Sequence, residues 1–310
     1  MLQDIQVVGG SVLTLFLMMA VGFFMGKRGM LSQETLSQLS RLLLYIVCPA
    51  IMIDAFLAEN CDRETVRALL LAGAVLVGTY LLYMVLAQFC FRRKPPEERG
   101  VLRFAVVYGN TGFMGIPLIQ TVLGSEAMLA TVVSLVVFNL CTWTHGVAVL
   151  GGREHVSLKK AVVNPGVIGF LIALILFVTG LRLPGPVSSA VSYLGSLNTP
   201  LAMVVIGGQM ASANLPETFR VKKLYLASAM KLIAMPVITM LVLLPFHLDS
   251  MLFMTVVILS GCPVAGSASL FCQSMGKDST LAARLVTLST LFCIITLPLV
   301  ALAARVVSSL

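Results

Sequence analysis

The chain has 310 residues, of which 58% are hydrophobic and only 11% are charged, and its mean hydropathy is +1.00. Soluble domains carry about 25% charged residues, so this composition excludes a water-soluble globular protein and indicates a polytopic membrane protein with little mass outside the bilayer. The net charge of +8 does not indicate nucleic-acid binding, because the basic residues cluster in short loops between apolar runs, where they set membrane topology.

Ten apolar spans follow one another along the chain and are joined by short connections. Their approximate limits are residues 8–26, 36–57, 66–91, 101–122, 127–150, 163–181, 187–210, 221–245, 250–274 and 281–303. The residues before span 1 include Asp4 and no Lys or Arg, so they lack the basic region of a cleavable signal peptide and we expect span 1 to be retained. This pattern predicts an all-α membrane protein of ten transmembrane helices.

The distribution of Lys and Arg predicts how these spans are oriented. Of the 21 basic residues, 16 lie in or beside the loops that follow the odd-numbered spans. The opposite side holds 4, namely Arg63, Arg67, Arg182 and Arg305, and the remaining residue, Lys231, lies within span 8. Because cytoplasmic loops are enriched in Lys and Arg, we predict that both termini lie outside.

The two halves of the chain resemble each other around two prolines. Residues 45–52 contain Pro49, and residues 196–203 contain Pro200, which lies 151 positions later. Each half, residues 1–155 and residues 156–310, holds five spans, and an odd number makes the second half enter the membrane upside down. The sequence therefore predicts an inverted repeat whose pseudo-two-fold axis brings spans 4 and 9 together near the membrane midplane.

Span 4 is broken in its middle, at residues 108–117. Asn110 and Thr111 are the side chains there that can hydrogen-bond a solute. A half-helix that begins near this point would direct its free N–H groups and positive dipole end at the break, which favours an anion. The residues that weaken the helix, and that we include with Asn110 and Thr111 in the candidate site, are Gly112, Gly115 and Pro117.

Span 9 carries a matching break at residues 259–269. Its candidate site residues are Pro263, Val264, Gly266 and Ser267. Neither break contains Asp or Glu, which favours an anionic solute and weakens a sodium-coupled interpretation, although backbone carbonyls could still bind an ion. Glycine-rich segments also serve as packing kinks between transmembrane helices, but a matched pair of breaks in two repeats favours a binding site.

Two further polar residues lie inside spans. Lys231 is about 10 Å into span 8, where it either extends back to the cytoplasmic face or acts as an intramembrane cation that balances an anionic solute or takes part in proton linkage. Asn139 is the most interior polar residue of span 5 and could line a cavity. The seven cysteines and three histidines show no metal-ligand spacing, so we expect neither a metal nor a cofactor.

The first break carries a family resemblance. Residues 110–118 (NTGFMGIPL) resemble the signature of the auxin efflux carrier family, which includes plant PIN-type auxin carriers and bacterial permeases described as transporters of malonate or other organic acids. Three other places resemble the same family: residues 229–231 (AMK) with Pro236, Pro263 with Phe271, and residues 297–299 (LPL). The long central cytoplasmic loop of many plant members is missing, which favours a bacterial permease of the inner membrane.

The resemblance implies a bile-acid-transporter-like fold. Spans 1, 2, 6 and 7 would form a scaffold, and spans 3, 4, 5, 8, 9 and 10 a mobile core that moves like an elevator. The crossing of spans 4 and 9 would hold the solute, with Asn110 as a ligand and with Pro49 and Pro200 as scaffold hinges. Plant relatives form homodimers through the scaffold, so the expected partners are the lipid bilayer, a small organic anion and a second copy of the chain.

The leading functional hypothesis is a secondary transporter of small organic anions such as mono- or dicarboxylates. One alternative is an ion-coupled transporter of a neutral or amphipathic solute. Another is a channel-like facilitator, although the repeated filter motifs of channels are missing from the sequence. An intramembrane enzyme would need a nucleophile with its base or a set of metal ligands on facing spans, and the sequence offers neither, so we expect no catalytic residues.

Overall fold

The computed structural model describes residues 2–308, with side chains from residue 9 onward. We number its principal helices in chain order and mark the halves of two interrupted helices a and b. They are α1 (Leu2–Lys27), α2 (Gln33–Leu57), α3 (Arg63–Phe89), α4a (Pro96–Val107), α4b (Thr111–Val122), α5 (Ser125–Gly151), α6 (Pro165–Thr179), α7 (Gly185–Ala211), α8 (Lys222–Phe246), α9a (Ser250–Ser260), α9b (Ser267–Ser274) and α10 (Thr280–Ser308). Short helices at Leu158–Val162 and Leu215–Arg220 lie in the connections.

Apolar helices dominate this structure, and residues 2–308 contain no β-strand. Seven helices are long and apolar enough to cross a membrane, namely α1, α2, α3, α5, α7, α8 and α10. The helices α4b, α6 and α9a are apolar but shorter. The prediction of an all-helical polytopic membrane protein is therefore confirmed, whereas the count of ten spans remains a prediction, because spans 4 and 9 are interrupted and α6 has 15 residues.

Side-chain caps set several helix boundaries. Asp62 accepts a hydrogen bond from the backbone N–H of Thr65 at the start of α3, and Asn164 accepts one from Val167 at the start of α6. These bonds satisfy donors that a helix N-terminus leaves free. At its other end α6 stops at Gly180, which has a φ of 66° and can adopt this left-handed conformation without steric cost.

Three helices contain a widened π turn that ends two residues before a proline. A proline ring inside an α-helix collides with the carbonyl of the residue four positions earlier, and a wider turn moves that carbonyl away. In each case that earlier residue belongs to the π turn. The turns are Leu43–Val47, Thr111–Gly115 and Met230–Ala234, and the prolines are Pro49, Pro117 and Pro236.

The helices pack in pairs. Helix α1 lies along α7, α2 lies along α6, α3 along α5, and α8 along α10. The contact of α1 with α7 is close because glycines face the other helix: a Cβ on Gly22 would come within 2.1 Å of the Val204 carbonyl oxygen, and a Cβ on Gly207 within 1.9 Å of the Met19 carbonyl oxygen. Small residues at such contacts let two backbones approach within a membrane.

The buried apolar side chains divide along these helices. The largest cluster is formed by residues of α3, α4a, α5, α8, α9 and α10 and of the two breaks. Two smaller clusters join α1, α2, α6 and α7 to α4b, α5 and the inner parts of α8, α9a and α10. Helices α3, α4, α5, α8, α9 and α10 thus share a core of their own, and α1, α2, α6 and α7 pack against it.

Candidate solute-binding site

The two interrupted helices meet at their breaks. The backbone N–H of Asn110 donates to the Pro263 carbonyl oxygen at 2.7 Å, and the N–H of Ala265 donates to the Tyr108 carbonyl oxygen at 3.0 Å. Between these bonds Gly109 and Val264 form an isolated antiparallel bridge. Each break therefore supplies hydrogen-bond partners for the unwound backbone of the other, which is what makes unwound backbone tolerable in an apolar bundle.

Polar side chains complete both breaks. The Asn110 side-chain oxygen accepts a hydrogen bond from the Phe113 N–H at 3.2 Å and thereby caps α4b. This cap uses only the oxygen, so the amide NH₂ group remains available to a solute. In the second break the Val264 N–H donates to the hydroxyl oxygen of Ser289 on α10 at 3.0 Å.

Lys231 lies beside the first break. Its side chain is only 1% exposed and therefore lies inside the helix bundle rather than at a surface. A Cβ on Gly109 would come within 3.0 Å of Lys231 Cε and 3.1 Å of Lys231 Nζ, so a glycine at this position lets the lysine reach the crossing. The ammonium also lies 5.7 Å from the centre of the Tyr83 ring, within the range of a cation–π interaction.

A small cavity lies next to Lys231. The space open to the centre of a water molecule is about 20 Å³, which is enough for a single water molecule or two. Its lining includes hydroxyl groups from α3, α4b, α5 and α9a, namely those of Thr79, Tyr80, Tyr83, Thr111, Ser134 and Ser260. The hydroxyl of Thr111 is buried and has no hydrogen-bond partner within the described part of the chain. This conformation therefore has a cavity at the crossing that is lined by both hydroxyl and aliphatic groups and is smaller than a carboxylate solute.

Of the predicted site residues, Thr111 and Lys231 line this cavity, whereas Asn110 and the predicted residues of the second break lie outside its lining. The surroundings of the other predicted residues differ. A Cβ on Gly115 would approach Leu259 Cδ2 at 2.6 Å, and one on Gly112 would contact Leu135 Cδ1 at 3.4 Å. A Cβ on Gly266 would have nothing within 4 Å. Pro117 is buried within α4b, and the hydroxyl of Ser267 is buried without a partner in the described structure.

Asn139, Pro49 and Pro200 make other contacts. The Asn139 amide donates to the Leu135 carbonyl oxygen at 2.9 Å, and its nitrogen faces Gly166 at the start of α6. Pro49 packs against α6 at Gly169. Pro200 is exposed and follows the junction at Leu197 between the two parts of α7. The structure therefore places none of these three in the cavity beside Lys231.

Some residues at the crossing were not anticipated from the sequence. Tyr80 and Tyr83 bring two phenol groups to the cavity from α3, and Ser289 binds the second break from α10. The Tyr108 hydroxyl lies 2.9 Å from the Cys141 carbonyl oxygen and 3.0 Å from His145 Nδ1. A signal for Tyr80 did exist, because it precedes Lys231 by 151 positions, the same offset that relates Pro49 to Pro200.

Two breaks that meet within a bundle of apolar helices define the class of membrane transporters built from discontinuous helices. The chain matches the family described as "Membrane transport protein" over residues 7–157 and 152–301. It belongs to this family, the auxin efflux carrier family, as the motif at residues 110–118 predicted. Within residues 9–308 no group of three or more His, Cys, Asp or Glu side chains is placed to hold a metal.

Several relatives span nearly the whole chain. A protein of Methanothermobacter thermautotrophicus named "Uncharacterized transporter" is 22% identical over 294 residues, which cover 93% of this chain and 96% of the relative. YfdV of Escherichia coli K12, also named an uncharacterized transporter, is 23% identical over 96% of this chain and 98% of its own length. A protein of Rhizobium meliloti named "Putative malonate transporter" is 24% identical over 93% of this chain and 92% of its own length.

Proposed function

We propose that this chain is a secondary transporter of small organic anions, such as mono- or dicarboxylates, in a bacterial inner membrane. The observation that carries the proposal is the buried amino group of Lys231 beside the unwound backbone at Gly109, in a cavity whose lining contains no carboxylate. A buried cation among helices is expensive unless a negative charge balances it. An anionic solute supplies that charge.

Electrostatics and hydrogen bonding both favour an anion at this place. Two unit charges about 4 Å apart attract each other by about 4 kcal/mol at an effective dielectric constant of about 20. The Asn110 amide and the Thr111 hydroxyl add donors at the start of α4b, where the helix dipole also favours negative charge. The name of the Rhizobium meliloti relative supports a dicarboxylate such as malonate as the first solute to test.

The packing of the helices supports an inverted repeat. If residues 1–155 and 156–310 are two repeats, α1 to α5 correspond to α6 to α10. The contact of α1 with α7 then corresponds to that of α6 with α2, and the contact of α3 with α5 to that of α8 with α10; all four contacts occur. We therefore retain the proposal of ten spans in two inverted repeats, with both termini outside.

An elevator mechanism is consistent with how the apolar clusters divide. The helices α3, α4, α5, α8, α9 and α10 share the largest apolar cluster. A shared cluster of this kind is expected of helices that move together as one rigid body. We propose that these helices form the mobile core and that α1, α2, α6 and α7 form the scaffold. Because the cavity beside Lys231 holds little more than water in this conformation, a solute would enter after the core and the scaffold move apart.

Ligand-dependent thermal stabilisation of the purified protein tests the proposal. A ligand that binds only the folded state raises the melting temperature, by an amount that grows with the logarithm of its concentration divided by its dissociation constant. We expect stabilisation by malonate and by other members of a panel of mono- and dicarboxylates, followed by their uptake into liposomes that contain the protein. Malonamide, the neutral diamide of malonate, is the matched control. Equal stabilisation by malonate and malonamide would support a neutral solute and contradict the proposal.

A further inference from the structure

Lys231 lies among groups that bring it no negative charge. The residues that line its cavity come from α3, α4, α5, α8 and α9a and include no Asp or Glu. Neither of the ion pairs found within residues 9–308, Lys223 with Glu98 and Arg284 with Glu217, includes it. The titratable groups that face it from the neighbouring helices are the phenols of Tyr80 and Tyr83 on α3 and the thiol of Cys262 in the second break.

The helices that pack on the π turn around Lys231 also bring no negative charge to it. Helix α10 places its basic residues, Arg284 and Arg305, near its two ends, and Cys293 lies in its buried middle part. Helix α4a carries two acidic residues, both at its start, where Glu98 pairs with Lys223, and its Arg103 is a cation that donates to the Cys90 carbonyl oxygen. The phenol of Tyr108 is directed to His145 instead. The described residues therefore supply no negative charge that would balance a protonated Lys231.

An uncompensated charge in a buried site is costly, and a buried amine avoids that cost by staying unprotonated. The ring of Tyr83 offers only a weak interaction with the ammonium at a distance of 5.7 Å. A carboxylate that enters the crossing lowers the cost of protonating Lys231, because it forms an ion pair with the resulting ammonium. Binding of the anion and binding of a proton then assist each other, and this coupling is reciprocal.

We propose that Lys231 carries the coupling proton of transport, so that one proton binds with each anion and leaves with it. When the carboxylate binds, the amine lone pair of Lys231 takes a proton from the solvent and forms an N–H bond; when the carboxylate departs, that bond breaks and the proton returns to water. The charge of Lys231 thereby offsets one negative charge of the solute during each movement of the core. This inference rests on the proposed function and adds the coupling ion to it.

Calorimetry measures this proton directly. Binding of malonate, or of the carboxylate that stabilises the protein most, is measured between about pH 7 and about pH 9, where carboxylates keep a constant charge. Two buffers with different enthalpies of ionisation report the number of protons taken up. We expect the uptake to rise with pH towards one proton per anion, and the dissociation constant to rise towards tenfold per pH unit.

Three variants separate Lys231 from other proton acceptors. Lys231→Arg keeps a permanent charge and should bind the anion without proton uptake. Lys231→Met keeps the length of the side chain without the charge, and should bind at least tenfold more weakly, also without uptake. His145→Gln removes the imidazole that contacts the Tyr108 hydroxyl and should keep the proton uptake of the unchanged protein.

The outcomes distinguish this inference from the proposed function. If the anion binds without proton uptake at every pH, or if Lys231→Met takes up as many protons as the unchanged protein, the inference is wrong and the anion-binding site stands. Loss of the uptake in His145→Gln would assign the proton to His145 and also overturn the inference. If no carboxylate of the panel binds, the proposed function itself fails.

Discussion

The break in α4 and the break in α9 occupy the same place but contribute different groups to it. The α4 break brings side chains: Asn110 caps α4b, Thr111 turns an unpaired hydroxyl to the cavity, and Gly109 admits Lys231. The α9 break brings mainly backbone, since the Pro263 carbonyl and the Val264 and Ala265 N–H groups make its polar contacts, and its one comparable side-chain group is the buried hydroxyl of Ser267.

This difference assigns separate tasks to two related segments. Side chains can distinguish one solute from another, whereas backbone groups hold the crossing in shape whatever solute is present. The helices that follow differ in the same way, because α4b starts on the side-chain cap of Asn110 and α9b starts at Gly266 without a side-chain cap. We therefore expect changes in the α4 break to alter solute affinity and changes around the α9 break to alter stability or to have little effect.

The largest expected effect comes from adding one methyl group to the α4 break. In Gly109→Ala the new Cβ would lie 3.0 Å from Lys231 Cε and 3.1 Å from the Cys262 backbone oxygen, so the lysine or the backbone must move. Overpacking of this kind costs about 1–3 kcal/mol of folding free energy. We expect this loss in the free energy of unfolding, together with a drop in solute affinity of at least tenfold, measured by thermal unfolding and calorimetry.

The matched change in the α9 break is Gly266→Ala. Its Cβ would meet nothing within 4 Å, and Gly266 has helical backbone angles that alanine adopts without strain. We expect unchanged affinity in this variant and a free energy of unfolding that is raised by no more than about 1 kcal/mol. Equal damage from both substitutions would contradict the different roles of the two breaks.

Two substitutions that each remove one hydroxyl group test the same difference between the α4 and α9 breaks, and we expect smaller effects from them. Ser289→Ala removes the acceptor of the Val264 N–H in a buried place, which costs about 1–3 kcal/mol of stability. Thr111→Val removes a hydroxyl that makes no hydrogen bond of standard geometry in the described structure and lies close to the Tyr80 phenol, so the folded protein loses at most a weak contact.

We expect Ser289→Ala to melt earlier with little change in solute affinity. Thr111→Val should melt like the unchanged protein but bind the anion about two- to tenfold more weakly, because one hydrogen bond to the solute is lost. Thermal unfolding and calorimetry on both variants test whether one variant loses stability and the other loses affinity. If Thr111→Val keeps full affinity, the cavity beside Lys231 does not take part in solute binding.

The membrane imposes constraints that made much of the fold predictable. Apolar runs, the two breaks and the prolines at 49 and 200 were visible because a bilayer requires apolar surface and penalises unpaired backbone. Boundaries were less accurate: α4a begins at Pro96 among charged residues, whereas hydropathy placed the start of span 4 near residue 101. Hydropathy does not detect a helix that starts outside the apolar zone.

The candidate site was only half predictable. Asn110 and Thr111 could be selected because they are polar residues inside a break, but the roles of Tyr80, Tyr83 and Ser289 depend on how α3 and α10 are rotated about their axes. A nearly uniform apolar sequence contains little information on that rotation. For the same reason the sequence did not decide whether Lys231 extends to the cytoplasmic face or stays inside the membrane. The structure places it at the crossing, where Gly109 has no Cβ and leaves room for it.

Asn110 provides the most direct measurement of whether the α4 break binds an anion. Asp serves as a helix N-cap as well as Asn does, so Asn110→Asp should keep the bond to the Phe113 N–H and the stability of the protein. Asn110→Ala loses this cap and about 1 kcal/mol of stability. In Asn110→Asp, however, the new carboxylate repels an anionic solute and competes with it for the Lys231 ammonium.

We therefore predict opposite orders for stability and affinity, measured by thermal unfolding and by calorimetry with malonate at neutral pH. Asn110→Asp should be more stable than Asn110→Ala but should bind the anion more weakly than Asn110→Ala, which in turn should bind more weakly than the unchanged protein. Affinity in Asn110→Asp equal to that of the unchanged protein would contradict an anion site at the α4 break.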